Sequence, residues 1–237
     1  MFELTLSFDN GPEPEVTPGV LDLLARENIR STFFVLGDKI AGPAGRRLAE
    51  RARAEDHWIG NHSMHHKVPL GEAADPAAAA AEEIDGTQAL LGNLVHAERL
   101  FRPFGRGGAI GTHLLSRAAL SRLAEGRYTM VLWNSIPRDW AEPDAWVETA
   151  LAQCRAQAWT LMVLHDLPTG AMRHLERFIG LAREAGARFR QDYPPGCVPI
   201  VRGKPVQPLD AYVNDTERLI ADFQRDISRW NHENRNS

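Results

Sequence analysis

Three histidines in five residues, His62-Ser63-Met64-His65-His66, form the densest group of metal-ligating side chains in the chain. His62 and His66 stand four apart, so on one helical turn both imidazoles face the same side and can hold one cation. A solvated surface cluster has the same spacing; the apolar, strand-like run just before it favours a metal. Asp9, in Ser7-Phe8-Asp9-Asn10-Gly11-Pro12, is placed to serve as a general base beside an activated water. Gly11-Pro12 forces a sharp turn that leaves the preceding side chains at an edge, although an ordinary Asx turn reads alike. Arg102-Pro103-Phe104-Gly105 offers a guanidinium to orient a carboxylate and backbone N–H groups for a developing oxyanion. Asp139-Trp140 and Leu164-His165-Asp166 supply a histidine that a buried carboxylate would keep protonated as a general acid, with Trp140 and Leu164 as walls of an apolar pocket. Each segment alone fits a strand end, a helix cap or core packing equally well.

Short β-rich runs alternate with helix-length segments and determine where those groups fall. The strands expected are Leu4 to Phe8, Thr32 to Leu36, His57 to Asn61, Arg99 to Arg102, Tyr128 to Trp133, Thr160 to His165 and Ala187 to Arg190. Several are continuously apolar, as strands covered on both faces are. Thr17-Pro18 and Asp75-Pro76 each set an N-cap before a proline at the first helical position. Further helices are expected over 112–125, 143–158 and 172–185. Repeated βα units mean an open doubly wound sheet or a (β/α) barrel. Asp9-Asn10, His62, Arg102, Asp139 and His165-Asp166 all fall at or just after strand ends, and only a barrel gathers so many on one rim. The fold predicted is α/β, a distorted barrel of about seven parallel strands. It occupies residues 1–237 as one domain, with a C-terminal loop and helix over about 193–237. The Pro-rich stretch from Tyr193 to Pro208 reads as an extended loop that would cover the rim or connect to the last helix. That helix, from about Asp215 to Asn231, gathers Leu219, Ile220, Phe223, Ile227 and Trp230 on one side, to pack on the barrel or to form a homo-oligomer contact.

Composition narrows the partners. The chain has 237 residues, 27 Lys and Arg against 31 Asp and Glu, and a net charge of −4. Its basic residues are scattered, which argues against nucleic acid or a membrane surface as partner. No run of about 18 apolar residues is present to span a bilayer. Cys154 and Cys197 lie far apart, so neither a disulfide framework nor a zinc ribbon is indicated. Met1, Phe2 and Glu3 lead straight into the first strand without an export-signal pattern, and a cytoplasmic protein is expected.

Taken in order, the five segments resemble the polysaccharide deacetylase family, the NodB-homology domain of carbohydrate esterase family 4. The family pattern TFDDG, H(S/T)xxH, RxPYG, D-W, LHD corresponds here to SFDNG, His62-Ser-Met-His-His66, Arg102-Pro-Phe-Gly, Asp139-Trp140 and Leu164-His165-Asp166. The resemblance spans roughly Leu4 to Asp166. It implies hydrolysis of an amide on a small-molecule or oligosaccharide substrate, with Asp9 as general base oriented by Arg102. His165 becomes the general acid, supported by Asp139. His62 and His66 bind a divalent metal, zinc most often, and Trp140 and Leu164 line the acyl pocket. The Phe104 backbone N–H then faces the oxyanion.

Two departures bear on the chemistry. Asn10 stands where the family has its third metal ligand, an Asp, and a neutral amide oxygen donates more weakly than a carboxylate. Asn10 as a weak third ligand, a metal-independent site like that of the allantoinase-like branch, and a binding site without turnover all remain open. His65 is a fourth, minor candidate for the third ligand, though adjacent side chains on a helical turn diverge by about 100°. Phe104 removes a phenol hydroxyl and leaves the backbone donor in place.

Overall fold

The structure is a computed structural model that describes residues 1–215; the expected C-terminal helix lies outside the described residues. The first half of the chain runs β1 (Phe2–Asp9), α1 (Thr17–Arg26), β2 (Thr32–Val35), α2 (Gly37–Ala41), α3 (Pro43–Ala54) and β3 (Trp58–Asn61). A helical stretch follows, α4 (Pro76–Ala80), a π-helical segment Ala81–Gly86 and α5 (Thr87–Leu91), leading into β4 (Leu100–Phe101). Then come β5 (Leu115–Ser116), α6 (Arg117–Glu125), β6 (Thr129–Met130), α7 (Trp146–Arg155), β7 (Trp159–His165), α8 (Leu175–Glu184) and β8 (Ala187–Arg190). Three short strands complete the described chain: β9 (Ile200–Val201), β10 (Lys204–Pro205) and β11 (Val213–Asn214).

The main sheet has the order β10-β9-β6-β4-β3-β2-β1-β7, with β8 also on β1. From β6 to β7 and β8 every pairing is parallel; β9 joins β6 antiparallel. The seven strands β1, β2, β3, β4, β6, β7 and β8 thus form the curled parallel sheet expected of a distorted barrel. A stretch without regular strand geometry bridges the gap between β6 and β7. Ser135 pairs with Met162, Val163 N donates to Ser135 O at 3.0 Å, and Leu161 N donates to Asn134 Oδ1 at 2.7 Å.

Strand alternation separates two environments. Leu4, Leu6 and Phe8 of β1, Phe33 and Val35 of β2, and Met162 and Leu164 of β7 pack outward with residues of α1, α3, α7 and α8 in one buried cluster. Phe34 and Leu161 turn inward and meet Leu100, Val131 and Cys197. Thr5, Ser7 and Asp9 share the inner face of β1, because successive side chains on a strand point to opposite sides.

Several local expectations are corrected. Only Thr129–Met130 of the run Tyr128 to Trp133 is strand, because the next backbone groups diverge: Val131 N donates to Phe101 O, and Leu132 N to Cys197 O. The helix expected from Thr112 begins at Arg117, where Ser116 caps it through Ala119 N. Asp75 does cap its helix, through Ala78 N at 3.0 Å. Thr17 does not: it is already the first helical residue and its hydroxyl is engaged elsewhere. Residues 199–208 contain the β9–β10 pair, and the preceding segment does not cover the rim. Tyr193 bonds Thr32 at the start of β2 and packs edge-on against Trp58 at the start of β3, so this stretch closes the opposite end of the barrel.

Candidate active site

A cavity of about 240 Å³ opens where the parallel strands end. Asp9, Asn10, His62, His66, Phe104, Trp140 and His165 line it, together with Trp133, Ile136, Val163 and Leu167. The last residues of β1 and β7, Asp9 and His165, are direct partners in the ladder, so register alone sets them side by side. His62 directly follows β3, and Arg102 directly follows β4.

Arg102 is fully buried and organises the interior. Its Nη1 donates to Asp9 Oδ1 and to Ser7 Oγ, both at 2.7 Å. Nε and Nη2 donate to the carbonyls of Val131 and Leu132 at 3.2 and 3.1 Å, and the guanidinium lies 4.0 Å over the Phe34 ring. Burial by itself would raise the Asp9 pKa; Arg102, then His62 and His165, outweigh it and hold the carboxyl below its ordinary range. Loss of that guanidinium would leave the Asp9 charge buried and uncompensated, which is costly.

Asp139 is fully buried, and its two oxygens take separate donors from His165: Oδ2 the backbone N–H at 2.8 Å, Oδ1 the ring Nδ1 at 2.9 Å. A carboxylate only accepts, so Nδ1 carries hydrogen and Nε2 is left for the cavity. Burial opposes the charged imidazolium, yet the Asp139 bond and charge, with Asp9 and Asp166, raise the His165 pKa. Trp140 packs edge-on against this ring at 4.7 Å.

His62 Nδ1 lies 2.8 Å from the Arg102 carbonyl, which fixes the hydrogen on Nδ1 and leaves the Nε2 lone pair 3.4 Å from Asp9 Oδ2. The His62 and His66 rings lie 4.8 Å apart between centroids, and Phe104 packs on His66 at 3.9 Å. Burial keeps both imidazoles neutral, pushing His66 down to about 3 and His62 below its usual value. Asn10 Oδ1 is buried without a hydrogen-bond partner.

The two histidines are brought together, but not by a helical turn. The 62–66 segment is a loop in which Ser63 and His66 have positive φ, 71° and 54°. His65 points out of the site, with Nδ1 at 2.8 Å from Asp38 and Nε2 at 3.0 Å from Glu82, and is removed as a ligand candidate. Leu164 is also corrected: strand alternation turns it into the outer core and gives its place on the cavity wall to Val163. Ser7, Trp133, Ile136 and Leu167 escaped the sequence reading. Of these only Ser7 carried a signal, since it stands two residues before Asp9 on the same strand face. Asp166 does not line the cavity; burial pushes its pKa up to about 7, and the Thr17 hydroxyl donates to its Oδ2.

The polysaccharide deacetylase family profile matches residues 2–120. A chitooligosaccharide deacetylase from Bradyrhizobium sp. (strain ANU 289) is 33% identical over 173 residues, 71% of this chain and 73% of that protein. The chain belongs to the polysaccharide deacetylase family. A peptidoglycan-N-acetylglucosamine deacetylase of Bacillus cereus is 32% identical over 167 residues, covering 69% of this chain and 72% of the relative. Among solved structures, the family 4 carbohydrate esterase from Streptomyces lividans in complex with acetate superposes with a TM-score of 0.66. It is 25% identical, over 83% of this chain and 96% of that one. The curled parallel sheet is therefore the polysaccharide deacetylase barrel. Among the described residues, no helix is long and apolar enough to cross a membrane.

Proposed function

We propose that this polysaccharide deacetylase homologue hydrolyses the N-acetyl amide of an amino sugar, in a short oligosaccharide or related small molecule, releasing acetate and the free amine. The observation that carries the reading is the pairing of two buried hydrogen-bonded couples across one cavity: Asp9 with the Arg102 guanidinium, and His165 with the Asp139 carboxylate. Asp9 accepts a proton from the attacking water, and His165 Nε2 delivers one to the departing amine nitrogen. The backbone N–H of Phe104 is assigned to the carbonyl oxygen, which gains charge as the tetrahedral centre forms. Trp133, Trp140 and Val163 present apolar surface to the acetyl methyl and the sugar ring.

The donor set fits a divalent cation. His62 Nε2 is oriented by the Arg102 carbonyl, His66 is neutral, and Asn10 Oδ1 is a buried oxygen without another partner. His62, His66 and Asn10 would hold the ion, which when bound polarises the amide carbonyl and lowers the pKa of water. Zinc suits two imidazoles and an oxygen. A metal-independent site is the second reading, favoured by one observation: Asn10 offers a neutral amide oxygen, a weaker donor than a carboxylate, beside His62 and His66.

Purified protein incubated with N-acetylated chitooligosaccharides is expected to release acetate, with Asp9→Asn and His165→Ala inactive. No acetate from any N-acetylated amino sugar would overturn the reaction class. Turnover that survives exhaustive chelation would assign the chemistry to Asp9, Arg102 and His165 alone.

A further inference from the structure

The loop that carries the two cavity histidines is unusual in needing outside support. Ser63 and His66 both occupy the left-handed region, at φ 71° and 54°, which non-glycine residues adopt only when their surroundings hold them there. Two sets of contacts supply that support. On one side Gly37 N and Asp38 N donate to the Ser63 and Met64 carbonyls at 3.0 and 3.1 Å. On the other, Glu83 Oε2 accepts the backbone N–H of both Met64 and His65, at 2.8 and 2.9 Å.

Glu83 lies in the π-helical segment Ala81–Gly86, where the helix widens by one residue. The same segment presents the Ile84 carbonyl to Asn61 Nδ2 at 2.9 Å, while Asn61 Oδ1 accepts Ser63 N at 2.9 Å. The Met64 side chain fits against Gly37 and Gly86; a Cβ on Gly37 would collide with its sulfur, and one on Gly86 would come within 2.9 Å of its terminal methyl. The π segment and the loop are thus joined by hydrogen bonds on both sides of Ser63 and by a wedge of side chain between two glycines.

We infer that Glu83 is a positioning residue for the His62–His66 donor pair, acting through the two loop amides and not through its charge. The inference rests on the reading of His62, His66 and Asn10 as cation donors. If the loop relaxes, the two imidazoles lose their fixed separation and the cation must reorder them on binding, so affinity falls while the donors themselves are unchanged. Saturating metal then restores turnover.

The test is zinc binding to the full chain by competition with a chromophoric chelator, alongside steady-state acetate release, for wild type, Glu83→Ala, Glu83→Asp and Glu83→Gln. Glu83→Gln keeps an acceptor oxygen at full reach and is expected to bind zinc within about threefold of wild type. Glu83→Ala and Glu83→Asp should weaken zinc about 10- to 100-fold, with kcat recovered at saturating zinc and KM unchanged. The opposite ranking, Asp retained and Gln impaired, would assign Glu83 a purely electrostatic role and overturn the proposal, as would equal affinity in all four proteins. If Glu83→Ala fails to fold, the Asp and Gln variants alone decide. A wild type that binds no zinc refutes the metal reading separately. The proposal is then judged by hydrogen exchange at the Met64 and His65 amides, which Glu83→Asp must accelerate and Glu83→Gln must not; unchanged exchange in both overturns it.

Discussion

The inner and outer faces of β1 and β7 are made by the same residues' alternation, yet they carry opposite duties. Inward, Ser7 and Asp9 meet Arg102, and Val163 and His165 face the cavity. Outward, Leu6, Phe8, Met162 and Leu164 enter the core shared with the surrounding helices. One register shift would exchange the two sets, so the core that fixes the register also fixes the chemistry. Stability and catalysis are therefore separable by residue parity, although they share two strands.

The largest break in that separation should come from Asp9→Asn. It keeps the shape of the inner face but removes the proposed base, and kcat for acetate release is expected to fall by about 10³-fold or more. The variant should still fold, because Arg102 retains Ser7 and two carbonyls as acceptors. A melting temperature far below wild type would show that the inner face also carries much of the stability.

Asp139→Asn should act next, on the proposed proton donor His165. His165 owes its raised pKa to Asp139, so wild-type kcat/KM should decline as pH rises through that raised value. Removing the carboxylate lowers the His165 pKa, and the alkaline limb should move to lower pH with a drop of about 10²-fold in kcat. An alkaline limb that stays in place would assign it to another group.

A pair of truncations on β7 tests parity itself. Leu164→Ala on the outer face should cost about 2–5 kcal/mol of unfolding free energy with KM unchanged. Val163→Ala on the cavity wall should instead alter KM or acyl preference, measured with acetyl and longer N-acyl substrates. Reversal of these two outcomes would mean that the strand is registered the other way.

The smallest effect belongs to the end of the barrel remote from the cavity. His57 is buried with Nδ1 accepting Ser31 N, and burial lowers its pKa from 6.5 to about 4. Between those values the unfolded chain binds a proton that the folded chain does not, so stability is lost as pH falls from about 6.5 to about 4. His57→Gln should flatten that slope in thermal melts without altering activity at neutral pH. An unchanged slope would place the acid sensitivity elsewhere.

The parallel barrel was legible because βα alternation is a local property of the chain, written in apolar runs and in start signals such as Asp75-Pro76. Asp9, His62, Arg102 and His165 were legible because each ends or follows a strand, and a parallel barrel sends all strand ends to one side. The 62–66 segment is a loop and not the helical turn that its spacing suggests, since a spacing of four says nothing about the backbone between. Left-handed residues there depend on Glu83 and Asn61, which lie outside the loop. Leu164 was placed in the pocket by its motif, whereas counting parity from His165 puts Val163 there.

The amino-acid order alone determined which residue types arrive at the strand ends and which strand faces are apolar, because both follow from backbone periodicity over a few residues. Tertiary structure decided the electrostatic state of those groups. The Asp9 carboxyl is held below its ordinary pKa because Arg102 reaches it across the barrel interior, and the His165 pKa is raised because a loop 26 residues earlier brings Asp139 to its Nδ1. Coulombic and hydrogen-bond energies depend on distance in space, and no local pattern encodes it.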